Sequence, residues 1–138
     1  MKFKGNFFVN YLKEVPVSLA IERTFECEIF KKQEFRRPIL DLGCGEGLFA
    51  YILSDDEIDV GVDPNARELK RAKAYGIYKE LITCYGHDIP KNSNSFNTIY
   101  SNSVLEHIVD IESVLKEVYR LLTPEGYFYV TVPTNFFD

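Results

Sequence analysis

Three alternating glycines, Gly43, Gly45 and Gly47, separate the apolar run 39–42 from a second apolar stretch. Glycine accepts positive φ and lacks a Cβ, so the backbone N–H groups of such a loop can approach a ligand, in front of the helix that we predict to follow. The pattern is typical of a nucleotide-type cofactor loop. A tight turn without a ligand is the alternative, but it would require one glycine rather than three.

Polar residues occur where the neighbouring predicted strands end. They are Asp41, Asp63, Asp88 and the segment 102–107. Ligands of parallel sheets bind at the carboxyl ends of the strands, near the point where the strand order reverses, so these side chains are expected to converge on one ligand. Each also has a structural explanation on its own: Asp41 as a buried acceptor, Asp63 as a helix N-cap, Asp88 as a turn residue.

Alternating strands and helices are predicted to carry these residues. The strands are expected at 39–42, 58–63, 81–85, 96–100 and 127–132, and helices after the glycine loop, at 66–74 and from Ile111 to Leu122. Pro64 fits the first position of the second of these helices, with Asp63 as its N-cap. The order predicts an α/β fold: a doubly wound, mainly parallel, Rossmann-like sheet with helices on both faces.

An N-terminal unit, residues 1–37, is expected to precede the core of residues 38–138. It comprises an aromatic arm, with Phe3, Phe7, Phe8 and Tyr11, and a helix from Val17 to about Lys32. Apolar residues recur every fourth position of that helix, which predicts an apolar face that packs on the sheet; they are Val17, Ile21, Phe25 and Ile29. The arm could be a lid over an acceptor, but simple packing on the sheet is the better interpretation.

Composition limits the classes of protein. The chain has 138 residues, 46% of them hydrophobic, which suits one globular domain. Its net charge is −5, and the acids are concentrated after residue 37, which argues against a nucleic-acid surface. No apolar run approaches the roughly 20 residues of a membrane span, and residues 1–6 lack a signal-peptide pattern, so a cytoplasmic protein without membrane or nucleic-acid partners is expected.

Cysteine and histidine spacing predicts neither a metal site nor a disulfide. Cys27, Cys44 and Cys84 are an odd number without C-x₂-C spacing, and we expect them to be reduced and mostly buried. Cys44 lies in the glycine loop, but no His or carboxylate stands at a spacing that would activate it as a nucleophile.

Together the motifs resemble the class I S-adenosylmethionine-dependent methyltransferases, specifically the broad small-molecule (type 11-like) group. The resemblance covers Pro38–Pro133. It rests on five segments: 39–47 (ILDLGCGEG), 60–63 (VGVD), 88–90 (DIP), 101–107 (SNSVLEH) and 121–126 (LLTPEG).

The resemblance implies S-adenosylmethionine as cofactor, S-adenosylhomocysteine as product and a small-molecule methyl acceptor. The loop Gly43-Cys44-Gly45-Glu46-Gly47 would wrap the amino-acid part of the cofactor, with Asp41 near its amino group. Asp63, next to Pro64, would accept hydrogen bonds from the two ribose hydroxyls. Asp88 would take the adenine amino group, with Ile89 holding the ring, while Asn102 and Ser103 would lie near the sulfur.

A general base is needed if the acceptor is a hydroxyl or an activated carbon. His107, with Glu106 beside it, is the candidate, because a histidine pKa near neutrality suits proton removal. The alternative, a polar residue that only shapes the pocket, is slightly favoured.

Departures from the family pattern concern small details and the C-terminus. Asn97 stands where the family often has Asp, and Glu125 where it commonly has Gly. The family normally continues past strand five with a helix and an antiparallel strand pair, whereas only residues 134–138 follow here. The sheet is therefore expected to be truncated after strand five, in a fragment or in a chain whose edge another chain covers. An exposed apolar edge predicts dimerisation or poor solubility.

Two other functions are compatible with parts of the pattern. A nicotinamide-dependent oxidoreductase would need G-x-G-x-x-G, but position 48 is Leu and the third glycine comes one residue early. A non-catalytic relative that binds S-adenosylmethionine as a sensor or scaffold remains open, although no cofactor motif is degraded.

Overall fold

The computed structural model describes residues 1–133, so the tail 134–138 of the predicted core lies outside the described residues. The helices are α1 (Phe7–Leu12), α2 (Val17–Lys31), α3 (Leu48–Leu53), α4 (Ala66–Tyr75) and α5 (Ile111–Leu121). The strands are β1 (Ile39–Leu42), β2 (Ile58–Asp63), β3 (Tyr78–Thr83), β4 (Phe96–Asn102) and β5 (Leu122–Thr131).

All described strand pairs are parallel, in the order β3-β2-β1-β4-β5. The order reverses between β1 and β4, which places the switch point beside the glycine loop. One hydrophobic core joins α1, α2 and α3 to one face of the sheet, and α4 packs against α3 on that side. The second core lies under α5 on the other face. The predicted doubly wound parallel fold with helices on both faces is confirmed.

The buried face of α2 differs from the prediction. Val17, Ile21, Phe25 and Ile29 are all exposed, and the buried residues are Ala20, Glu26, Cys27 and Phe30. A spacing of four advances about 40° per step around a helix with 3.6 residues per turn, so the apolar stripe winds away from the sheet. The small side chains of Ala20 and Cys27 face α1 and the sheet instead.

The aromatic arm packs against the body of the protein. Phe7 and Tyr11 of α1 are each 1% exposed, and Phe3 lies against Phe35 with ring centroids 5.4 Å apart. Simple packing, rather than a lid, is therefore the structural role of most of the arm.

The start of α4 also differs from the prediction. Asn65, not Asp63, is the N-cap, because its side chain accepts a hydrogen bond from the backbone N–H of Arg67 at 3.0 Å. Helix α4 begins at Ala66, so Pro64 lies outside it. The physical reason is that Asp63 is still the last residue of β2 and remains extended.

Three of the strands have boundaries that differ from the prediction. Strand β3 begins at Tyr78, three residues before the prediction, and β4 continues to Asn102. Strand β5 includes the predicted turn 123–126 as an irregularity, because Phe96 pairs with Leu122 whereas Thr98 pairs with Tyr127. Asn97 holds this irregular segment: its amide donates to the carbonyl of Arg37, and its oxygen accepts from the Thr123 hydroxyl. Asn97 therefore has a structural role at this irregularity.

Candidate cofactor site

The glycine loop connects β1 to α3 with all three glycines at positive φ: +77° at Gly43, +52° at Gly45 and +82° at Gly47. A Cβ on Gly43 would lie 2.6 Å from a methyl group of Val104, so this glycine also permits close packing. A Cβ on Gly45 would have no neighbour within 4 Å. The middle of the loop therefore has no side chain between its backbone and open space, and its positive φ is what favours glycine there.

Two cavities meet at the carboxyl edge of the sheet. The larger, about 350 Å³, lies beside β2 and the segment after β3; the smaller, about 290 Å³, lies between the glycine loop and helices α1 and α2. Both are lined by Gly43, Ser103 and Val104. Val104 therefore lies at the boundary of the two cavities, which are together called the trough, and each end of the trough has its own set of further side chains.

Asp63 lies at the end of β2 and lines the larger cavity. Its Oδ2 accepts a hydrogen bond from the Gly45 N–H at 3.0 Å, and its Oδ1 accepts one from the Asn65 N–H at 2.8 Å. These bonds orient the carboxylate and leave each oxygen a second lone pair for a ligand. Because Asn65 caps α4, the competing explanation of Asp63 as an N-cap is wrong.

The segment after β3 forms the outer wall of the larger cavity. Tyr85, Gly86 and His87 line it, and the ring of Tyr85 stacks on that of His87 at a centroid distance of 5.6 Å. Asp88 is exposed and Ile89 is buried beneath the segment, and neither lines the cavity. Their assignment to adenine stays a prediction.

Side chains of helix α5 hold this segment in place through hydrogen bonds to its backbone. The backbone N–H of Ile89 donates to the Glu117 carboxylate at 2.9 Å, and Arg120 donates to the carbonyl oxygens of Ile89 and Lys91 at 3.1 and 2.8 Å. Glu117 and Arg120 also pair with each other at 2.6 Å. Because of these bonds, a short irregular segment holds its position without a helix of its own.

A polar network from α2 reaches the end of β4, and the sequence did not indicate it. The Arg23 guanidinium donates to Glu26 at 2.6 Å and to the Ser103 hydroxyl at 3.0 Å. Glu26, only 9% exposed, also accepts from the Ser103 hydroxyl at 2.8 Å and from the Asn102 amide at 3.0 Å. Arg23 lines the smaller cavity and places a positive charge there. In the sequence, an Arg–Glu pair three residues apart on a helix cannot be distinguished from a solvated pair.

Asp41 lies in the wall of the smaller cavity, on the face of β1 that carries α1 to α4. The hydroxyls of Tyr78 and Tyr100 both donate to its Oδ2 at 2.7 Å. Burial raises the pKa of Asp41 to about 6, although the two hydroxyl bonds act in the opposite direction. Neither tyrosine was expected at the site: the predicted β3 began after Tyr78, and Tyr100 was assigned only to a strand.

Cys44 is not a nucleophile. Burial raises the pKa of its thiol far above the usual range, so the thiolate is absent at neutral pH. Burial also raises the pKa of Cys27 to about 12 and that of Cys84 to about 11. All three cysteines are free. In residues 1–133, no group of three or more His, Cys, Asp or Glu side chains is placed to hold a metal ion.

Glu106 and His107 belong to a short 3₁₀ helix, Leu105–His107, that follows β4. His107 lines the larger cavity, but its side chain is 79% exposed, and its Nε2 lies 3.9 Å from Glu106 Oε1. Glu106 does not line either cavity. The role of the pair as a general base stays a prediction.

Residues 40–130 match the family model described as a methyltransferase domain. The chain belongs to this methyltransferase-domain family. The match begins in β1 and ends in β5, so it includes every residue that lines the larger cavity and the glycine-loop wall of the smaller one. Helix α2, which supplies Arg23 and Glu26, lies outside it.

Similar proteins extend the comparison to the N-terminal helices. This chain is 30% identical, over 96% of its length and 76% of the relative, to the Bacillus subtilis protein YrhH, whose own methyltransferase assignment is provisional. It is 28% identical, over 67% of this chain and 28% of the relative, to the mitochondrial ubiquinone biosynthesis O-methyltransferase of Bos taurus. A SAM-dependent methyltransferase structure from Thermotoga maritima superposes with a TM-score of 0.74 at 26% identity, over 89% of this chain and 57% of that one.

This chain thus spans 28% of the bovine enzyme and 57% of the Thermotoga protein. None of the helices in the described part of the chain is long and apolar enough to cross a membrane.

Proposed function

We propose that this protein binds S-adenosylmethionine in the trough at the carboxyl edge of its sheet and transfers the methyl group to a small-molecule acceptor, with S-adenosylhomocysteine as the product. The observation that carries the proposal is the trough itself, which has a charged end and a mainly apolar end on either side of Val104. An amino acid joined to a nucleoside through sulfur has the same two-ended character.

The side chains fit that cofactor group by group. Asp41 and Arg23, in the wall of the smaller cavity, complement an ammonium and a carboxylate. Asp63 offers two oxygens to a vicinal diol. Leu42, Val62 and Ile108 supply apolar walls for a flat base. Gly45 has no side chain and no neighbour within 4 Å of where its Cβ would lie, so it leaves space beside the amino-acid end.

The bound cofactor supplies a methyl group already activated by the positive charge on sulfur. The work left to this chain is to align the acceptor with that methyl group and to exclude water, a contribution worth about 7 kcal/mol or more when the geometry is right. Ser103 and Val104, at the junction of the two cavities, are the residues best placed for it. His107, at the rim of the larger cavity, is the group that could accept a proton.

A small-molecule acceptor is supported by the relatives, because the bovine relative is an O-methyltransferase of ubiquinone biosynthesis. It is also supported by charge, since the acids of the chain are concentrated in the body that carries the site. An acidic body disfavours a nucleic acid as the acceptor.

Isothermal titration calorimetry with S-adenosylhomocysteine tests the cofactor assignment. We expect the chain to bind it, and Asp63→Asn to weaken binding about tenfold or more, because a charged acceptor for the ribose hydroxyls is lost. Glu57→Gln, an exposed site before β2, is the matched control and should bind normally. Binding of NAD in place of S-adenosylhomocysteine would show that the proposal is wrong.

A further inference from the structure

Asp41 is surrounded by an arrangement that crosses three neighbouring strands. In the sheet register, Asp41 of β1 lies beside Gly61 of β2 on one side and Tyr100 of β4 on the other. Tyr78 of β3 reaches Asp41 across the gap at Gly61, where an added Cβ would lie 2.8 Å from the tyrosine ring. The absence of a side chain at position 61 is thus what admits the second hydroxyl.

Both hydroxyls converge on the same carboxylate oxygen. Tyr78 and Tyr100 each donate to Oδ2 at 2.7 Å, whereas no donor within residues 1–133 bonds to Oδ1. Asp41 is 3% exposed and lines the smaller cavity. The carboxylate is therefore fixed through one oxygen, and the other remains as an acceptor.

We propose that Tyr78 and Tyr100 are positioning residues for cofactor binding: they hold Asp41 as an ionised carboxylate and keep Oδ1 available to the ammonium group at the amino-acid end of the cofactor. The inference rests on the proposed function for the identity of the ligand. The inference goes beyond the proposed function because it assigns a role to two tyrosines that do not line either cavity.

The physical need for two donors follows from burial. A carboxyl group removed from water favours its neutral form, and a neutral acid would not attract an ammonium group. With both hydroxyl bonds present, the pKa of Asp41 is about 6, so the group is mostly charged at neutral pH. Loss of one charge-assisted bond should raise that pKa by about 1 to 2 and bring it into the neutral range.

Other charged groups around Asp41 do not replace the hydroxyls. Asp63 of β2 raises the pKa of Asp41 further by repulsion, and the neighbouring Cys44 thiol is uncharged. Arg23 of α2, Glu46 of the glycine loop and Tyr11 of α1 share the cavity wall. Of these, only Arg23 is a cation, and it is already paired with Glu26 at 2.6 Å.

Carboxylate-detected NMR of the ligand-free 138-residue chain tests the inference directly. The Asp41 resonance is identified by its loss in Asp41→Asn, and its titration is followed in wild type, Tyr78→Phe and Tyr100→Phe. We expect a midpoint near 6 in wild type and a midpoint higher by about 1 to 2 in each variant. Tyr129→Phe is the control, because it removes a hydroxyl that bonds to the carbonyl of Glu34 instead.

Calorimetry from pH 5.5 to 8 provides the second measurement. The pH below which S-adenosylhomocysteine affinity falls should move upward in both Tyr→Phe variants by the same amount as the NMR midpoint. Affinity for 5′-methylthioadenosine, which lacks the amino-acid group, should not change between wild type and variants. This contrast separates positioning of Asp41 from a general loss of structure.

An unchanged Asp41 midpoint in the two variants would overturn the inference. Equal losses for both ligands would overturn it as well, since they would indicate only structural damage. If Tyr100→Phe does not fold, Tyr78→Phe alone decides, because its ring still fills the gap at Gly61. A shifted midpoint in a chain that binds neither ligand would overturn the proposed function. It would still show that the tyrosine hydroxyls keep Asp41 ionised.

Discussion

At the scale of single residues, the site combines groups that oppose stability with groups that compensate for them. Asp41 is an ionised carboxylate in the core, and Glu26 is a second buried acid, held by Arg23, Asn102 and Ser103. Leaving a buried charge without such partners is strongly destabilising, which explains why each acid has several donors. The need to bind a charged ligand gives a reason to keep the acids there.

Asp41→Asn should stabilise the ligand-free protein at neutral pH. The pKa of Asp41 is about 6 in the folded chain against an ordinary value of 3.8, so the folded state binds its proton more tightly than the unfolded state does. Ionisation of Asp41 therefore lowers the free energy of unfolding of wild type by about 3 kcal/mol. This loss is fully present above pH 6 and disappears as the pH falls to about 4.

Urea denaturation of wild type and Asp41→Asn at pH 7.5 and pH 4.5 measures this difference. We expect the variant to be more stable at pH 7.5 and the gap to shrink at pH 4.5, while the variant binds S-adenosylhomocysteine more weakly. A variant less stable than wild type at pH 7.5 would contradict the assignment of Asp41 as a buried carboxylate whose charge destabilises the folded state.

At the scale of elements, one face of α2 packs on the protein and contacts the site, whereas the apolar stripe of the helix is exposed to solvent. Ala20, Cys27 and Phe30 attach it to α1 and the sheet, while Arg23 and Glu26 reach the end of β4. Packing of small residues against α1 sets the rotation of the helix, and this rotation is what delivers Arg23 to the cavity. Phe25 and Ile29 have no such role in the described chain.

Two phenylalanines of α2 provide a matched test of that orientation. Phe25→Ala should change the free energy of unfolding by no more than about 0.5 kcal/mol, because its side chain is 66% exposed. Phe30→Ala should cost about 3 to 5 kcal/mol, because the ring is 1% exposed and packs on Phe35, Phe49 and Tyr100. Urea denaturation of both variants measures this, and equal losses would show that the exposed face is covered in solution.

At the scale of the whole molecule, β5 is one of the two edges of the described sheet, opposite β3. It pairs with β4 alone, and the segment 127–132 is aromatic and β-branched without a charged residue. An exposed edge of this kind is a template for pairing with another strand. The expectation of self-association therefore persists, with β5 as the contact.

Val130→Lys should reduce self-association of the 138-residue chain. A lysine on the edge disfavours strand pairing, and Val130 is 42% exposed. Val109→Lys, at a fully exposed loop valine, is the control and should leave association unchanged. Light scattering over a range of concentrations measures the mass, and a monodisperse wild-type monomer would contradict the prediction.

The succession of strands and helices along the chain, the glycine loop and the position of Asp63 at a strand end could be predicted from the sequence because each is a local signal. Apolar runs, alternating glycines and an acid at a strand end depend on residues adjacent in the chain. The predictions were wrong where one local pattern is compatible with two structures. The four-residue repeat of α2 indicated the wrong face, and the Asp63-Pro64 pair indicated a helix start although Asn65 caps the helix. The N-terminus of β3 was missed, and Tyr78 with it.

The sequence by itself determined the fold family and the carboxyl edge at which a cofactor would bind, since both follow from the order of strands, loops and helices. Only the tertiary structure decided how the site is charged and held. Arg23 meets Ser103 across 80 positions, and Tyr78 meets Asp41 across 37 because Gly61 leaves room for its ring. Such contacts depend on the rotation of a helix and the register of three strands, and no spacing within the sequence encodes either.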